Sequence, residues 1–214
     1  MNSEKLNLVN FWKQSGIVKD ENVLKAFIDV DRENFVLPQY IDYAYTDKPL
    51  PIIAGQTISQ PTTVMIMTQA LELKPGMKVL EIGAGSGYQA AIIAKIVGDK
   101  GKVVTIEIIP ELAKFADQNL INSGIKNVEV IMGDGSLGYE KEAPYDRIIV
   151  TAACPKIPEP LLEQLKDNGI IIAPVGSLHE GQKMLKVVKH GQQINITKLG
   201  DFLFVPLKGE HGFE

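Results

Sequence analysis

The sequence predicts an α/β protein: a doubly wound, mostly parallel sheet with an N-terminal helical cap and antiparallel C-terminal strands. Three observations carry this expectation. Strand-like and helix-like patterns alternate from residue 76 to 175, as in a chain of β-α-β units. The apolar stretch opening at Val79 breaks into a loop with glycine at 83, 85 and 87, then into the helical pattern Gln89–Val97. Beyond the last parallel strand, Lys183–Lys189 and Gln193–Val205 read as antiparallel partners around the His190-Gly191 turn.

Taken in order, Leu6, Val9, Phe11 and Trp12 lie near helical spacing, with Gly16 as a C-cap. Asp20 is placed to cap a second helix carrying Val23, Leu24, Phe27 and Ile28. Phe35, Tyr40, Tyr43 and Tyr45 follow in a stretch broken by Pro38 and Pro49, and read as core packing under a helical cap. Residues 54–61, A-G-Q-T-I-S-Q-P, gather hydroxyls and amides ahead of Pro61, which suits the first position of a helix over Thr62–Leu73. A helix start offers free N–H groups and partial positive charge, so a carboxylate suits Thr57–Ser59. The plainer alternative is that Ser59 or Gln60 simply caps that helix.

Further on, Lys102–Glu107 reads as a buried strand ending in an acid, and Pro110 opens a helix, Glu111–Asn122, that closes at Gly124. Asn127–Met132 is a third strand, ending in the turn Gly133-Asp134-Gly135. Tyr145–Thr151 is a fourth, 158–166 a loop and helix, and Gly169–Val175 a fifth strand. The 214 residues fit one domain: a cap and substrate loop over 1–60, a core over 61–176 and C-terminal strands over 177–214.

A net charge of −4 provides no global basic field, so no nucleic-acid partner is expected. No apolar run is long enough for a membrane span. The N-terminal M-N-S-E-K lacks a signal-peptide apolar region, and the lone Cys154 fits a reducing compartment. A cytoplasmic monomer is the expectation. His179, His190 and His211 show no paired metal-ligand spacing, so no metal is expected.

The glycine loop narrows the ligand. A dinucleotide fingerprint, G-x-G-x-x-G, would need glycine at 88, which is Tyr88. The pattern E-x-G-x-G-x-G resembles instead the first motif of S-adenosylmethionine-dependent methyltransferases with a Rossmann-like fold. Glu81 would repel a pyrophosphate but suits a sulfonium and an ammonium. By the residues alone, a dinucleotide and a ligand-free turn stay open. In this architecture Glu107, about 20 residues past Gly87, accepts from ribose hydroxyls.

Several further blocks accompany the glycine loop. G-Q-T-I-S-Q-P precedes it; G-D-G at 133–135 with Gly138-Tyr139, A-P-Y-D at 143–146 and P-x-x-L-x-x-Q-L at 158–165 follow it. P-V-G at 174–176 and F-V-P-L at 204–207 complete the set. Together they resemble the protein-L-isoaspartate O-methyltransferase family, over about residues 10 to 210. The resemblance implies methyl transfer from S-adenosyl-L-methionine to the α-carboxylate of L-isoaspartyl residues in damaged proteins, leaving S-adenosyl-L-homocysteine. The ester then collapses to a succinimide.

The resemblance also implies cofactor contacts from Gln56, Thr57, Glu81, Gly83, Gly85, Glu107, Asp134 and Gly135. Asp134 would accept from the adenine amino group. Substrate contacts would come from Thr57, the Ile58 N–H, Ser59 and backbone groups near Val205, with the Ser59 hydroxyl orienting the carboxylate. A carboxylate has a pKa of about 4 and is already ionised at neutral pH, so no general base is required. Two departures from the family pattern, Val64 and Lys208, lie beside these motifs rather than in them.

Overall fold

Along residues 3–213, the part of the chain that this computed structural model describes, nine strands and six α-helices follow one another. Helices α1 (Ser3–Ser15) and α2 (Glu21–Asp29) form the cap. A two-stranded hairpin, β1 (Leu50–Pro51) and β2 (Thr57–Ile58), leads into α3 (Pro61–Ala70). Then come β3 (Lys78–Ile82), α4 (Tyr88–Val97), β4 (Lys102–Glu107), α5 (Pro110–Asn122) and β5 (Val128–Met132). The chain continues through β6 (Tyr145–Val150), α6 (Glu159–Glu163), β7 (Leu165–Ser177), β8 (Gly181–His190) and β9 (Gln193–Phe202).

The central sheet has the order β5-β4-β3-β6-β7-β8-β9. The first five of these strands are parallel and the last two antiparallel. The expected class is therefore the observed one. From β3 the chain winds outward to β4 and β5, then crosses back to lay β6 on the other side of β3. Loops leaving β3 and β6 diverge at that switch point and leave a crevice at the carboxyl ends of the strands.

Local chemistry explains the elements. Val79, Leu80, Val103, Val104, Ile148 and Ile149 are fully buried because helices or loops cover both faces of the parallel strands. In the cap, Trp12 and Phe27 meet edge to face at 4.7 Å. The Asp20 carboxylate accepts from Asn22 N at 2.8 Å and starts α2.

Some boundaries differ from expectation, each for a tertiary reason. Leu6 and Phe11 face solvent, while Leu8, Val9 and Trp12 form the buried stripe of α1 with Lys5. Lys5 is buried because its Nζ donates to Val30 O and Asp31 Oδ1. Helix α3 stops at Ala70, where Leu71 and a left-handed Glu72 (φ 52°) turn the chain. Strand β7 starts early and shortens α6, because Leu165 already pairs with Tyr145 of β6. It also runs to Ser177, where it pairs with Gly181 of β8.

Candidate active site

At the end of β3 the chain turns through Gly83 with φ 93°. A side chain could not replace that glycine: a Cβ would lie 2.5 Å from Thr151 Oγ1. The Thr151 hydroxyl lies 2.9 Å from Ile82 O and 2.7 Å from Gly83 O, and so pins the first peptide of the loop to the end of β6. One strand away, Glu107 Oε2 accepts from Gly85 N at 3.0 Å and Oε1 from Ile109 N at 3.1 Å. A carboxylate offers about four acceptor sites, so each oxygen keeps capacity for a ligand hydroxyl. Gly135, after β5, packs so tightly on Ile82 that a Cβ would sit 2.6 Å from its Cγ2.

These groups wall a cavity with about 910 Å³ of empty space, counting its open mouth. Gly83, Gly85, Glu107 and Gly135 line it together with Gln56–Ser59. A second cavity of about 1620 Å³, measured the same way, lies between Pro49, Gln182 and Leu203. Four residues line both: Thr57, Ser59, Thr151 and Val205. The segments 57–59 and 83–86 thus share one cavity, and the second opens beside it.

Ser59 stands at that junction, half-buried, with no hydrogen-bond partner among the described residues. It does not cap α3, and neither does the side chain of Gln60. Asp47 does so from outside: Oδ1 accepts from Thr62 N at 2.9 Å, and Oδ2 from Thr62 Oγ1 at 2.7 Å and Gln60 Nε2 at 3.0 Å. Trp12 Nε1 donates to the same threonine hydroxyl at 2.8 Å. The Thr62 amide of the helix start is thus taken by one of the protein's own carboxylates.

Two expected cofactor residues stand outside the cavity lining. Glu81 is fully buried and outside the cavity; strand alternation sends Ile82 into the cavity wall and its neighbour to the other face. Its Oε2 accepts from Thr105 Oγ1 at 2.5 Å, its Oε1 has no partner, and burial pushes the carboxyl up to about 8.

Asp134 is also absent from the cavity lining. Its Oδ1 accepts from Ser136 N and Oγ, and its Oδ2 from Glu210 N at 2.8 Å, so it fastens the C-terminal tail to the turn. Partial burial works to raise its pKa, but the hydrogen bonds from Glu210 and Ser136 win and hold it below the ordinary value. Ile58 is buried and paired with Leu50 in the hairpin, which anchors the segment. The Val205 carbonyl accepts from Ala153 N at 2.8 Å, leaving its N–H free of protein partners among the described residues.

Reading by sequence missed Thr151 and Gln89, both in the cavity wall. For Thr151 a signal existed: it is a polar residue just past the carboxyl end of a parallel strand.

Comparison with known proteins was made against this geometry. The protein-L-isoaspartate(D-aspartate) O-methyltransferase family matches residues 2–212. A protein-L-isoaspartate O-methyltransferase of Pyrococcus horikoshii is 54% identical over 206 residues, 96% of this chain and 93% of that one. A solved protein-L-isoaspartate O-methyltransferase superposes with a TM-score of 0.89 at 32% identity, over 97% of this chain and 67% of its own. The Plasmodium falciparum protein of that description, solved with S-adenosyl-L-homocysteine, gives 0.83 at 27% identity, covering 97% and 99%.

Proposed function

Because this chain belongs to the protein-L-isoaspartate O-methyltransferase family, we propose that its two joined cavities hold the two reactants, methyl donor in the first and damaged peptide in the second. The enzyme methylates the α-carboxylate of L-isoaspartyl residues, and the ester then closes to a succinimide. S-adenosyl-L-methionine, when bound, supplies a methyl group already activated on a sulfonium. The residues present suit that donor: a loop bare of side chains, remaining acceptor capacity on Glu107 for ribose hydroxyls, and Gly135 against the sheet. Gln56, Thr57, Gly83 and Gly85 complete this wall.

On the peptide side, the Ser59 hydroxyl donates to one oxygen of the substrate carboxylate and turns the other toward the methyl. Thr57 flanks it, and the Val205 N–H takes a backbone carbonyl of the peptide. All four residues at the junction are uncharged. A neutral hydroxyl orients an anionic oxygen without quenching it, and orientation of this kind contributes up to about 7–11 kcal/mol. The observation that carries the reading is that Thr57, Ser59, Thr151 and Val205 wall both cavities at once.

The test is incubation with labelled S-adenosyl-L-methionine and an isoaspartyl peptide beside its aspartyl twin. Only the isoaspartyl form becomes labelled. Ser59→Ala lowers kcat by about one to three decades, the scale seen when one positioned donor is lost, while cofactor affinity holds. Unchanged turnover would remove Ser59 from the reaction.

The reading also takes the chain as one domain, monomeric and cytoplasmic, without a nucleic-acid partner; the charge of −4 and the single buried Cys154 support it. No helix among the described residues is long and apolar enough to cross a membrane. A mass by light scattering well above 23.5 kDa would overturn the monomer.

A further inference from the structure

We propose that Gln89 is a further cofactor-binding residue, whose side-chain oxygen accepts a hydrogen bond from the ammonium of the donor's amino-acid part. The proposal rests on the reading that the first cavity holds that donor.

Gln89 is the second residue of α4, only 8% exposed, and lines the first cavity near Val64 and Met67 of α3. Its amide has one protein contact, with Thr68 Oγ1 at 2.9 Å. The direction of that contact is fixed by counting hydrogens. A threonine hydroxyl has one, and Thr68 gives it to Val64 O at 2.7 Å. Toward Gln89 it can therefore only accept, so Nε2 faces Thr68 and Oε1 is turned away.

Oε1 accepts from no donor among the described residues. It is also not one of the enclosed polar atoms without a partner, which include Glu81 Oε1 and the Tyr88 hydroxyl. It therefore reaches the cavity surface as a preoriented acceptor. Two charged residues line this cavity, Glu107 and Lys208. Glu107 is held on the Gly85 and Ile109 amides, and Glu81 points to the other face of its strand. The wall formed by α3 and α4 thus offers no carboxylate, and a fixed amide oxygen meets the cationic donor group there.

The test compares two ligands by calorimetry. S-adenosyl-L-homocysteine carries the ammonium; 5′-methylthioadenosine shares the nucleoside and thioether but lacks the amino acid. Gln89→Leu and the near-isosteric Gln89→Met should weaken the first ligand about 10- to 100-fold, as for hydrogen bonds to charged groups, and the second less than about twofold. Gln89→Glu keeps an acceptor and should retain binding of the first ligand.

Equal weakening of both ligands would show that Gln89 only packs the cavity, and undiminished S-adenosyl-L-homocysteine binding would exclude the contact; either overturns the proposal. Retained methylthioadenosine binding shows that a variant is folded. A wild-type protein that binds neither ligand would sink the donor-cavity reading itself, and this inference with it.

Discussion

The proposed donor cavity and peptide groove are adjacent and share four residues, yet the rest of their walls differ. Around the donor, the functional groups sit in turns that directly follow parallel strands: Gly83 after β3, Glu107 ending β4, Gly135 after β5. Their geometry is inherited from strands of which β3 and β4 are almost wholly buried. The second cavity instead draws on the antiparallel edge of the sheet, Gln182 of β8 and Phe202 of β9, with Pro49 from before the sheet and Leu203 from beyond its last strand. Leu203 is 82% exposed. On the proposed reading, an invariant donor meets a wall built on buried strands, and a substrate defined by one damaged residue in many sequences meets a more exposed one. Three measurements test this difference.

The largest effect is expected under the donor loop. Glu81 is neutral in both folded and unfolded chains below about pH 4.5, its ordinary value, and burial raises the folded carboxyl to about 8. Between those values the unfolded chain releases a proton that the folded one keeps, so stability is lost as pH rises through this window. Glu81→Gln should remove that slope. The variant should match the wild type at pH 4 in thermal denaturation and exceed it at pH 9, by on the order of a few kcal/mol. A difference that does not grow with pH would show that Glu81 is not buried and neutral beneath the loop.

Next in size, Glu107→Ala should weaken S-adenosyl-L-homocysteine binding about 10- to 100-fold, while the peptide KM holds. A hydrogen bond to a charged group is worth about 1.5–3 kcal/mol, and the Gly85 amide loses its anchor as well. Unchanged affinity by calorimetry would exclude the ribose role. Smallest, Leu203→Ser should raise the KM for an isoaspartyl peptide about two- to fivefold, since burying a leucine is worth at most about 1.5–3 kcal/mol. Its Tm and cofactor affinity should not move. A fall of several degrees in Tm would mean that Leu203 is packed into the fold and that the groove is as rigid as the cavity.

The same contrast governs how much could be read from the sequence. Lys102–Glu107 and the proline-started helix after it follow from patterns a few residues long, and so does the glycine loop. Spacing and architecture singled out Glu107, because strand tips line up in a parallel sheet. The facing of Glu81 depends on strand phase relative to the cavity, which a motif does not reveal. Asp47 reaches α3 from 15 residues upstream, and Gln89 owes its orientation to a hydroxyl on another helix. Such contacts exist only after the elements have packed. Nothing local in F-V-P-L ties residues 204–207 to Ser59; family resemblance alone joined them, and the cavity walls now place Val205 and Ser59 together.

Asp47 carries one further consequence. Its carboxylate, seated on the start of α3, offsets the partial positive charge of that helix end. On the proposed reading, the acid and its methyl ester meet the same neutral donors. Converting one into the other would then break no ion pair, and the finished ester would leave about as freely as the damaged residue arrived.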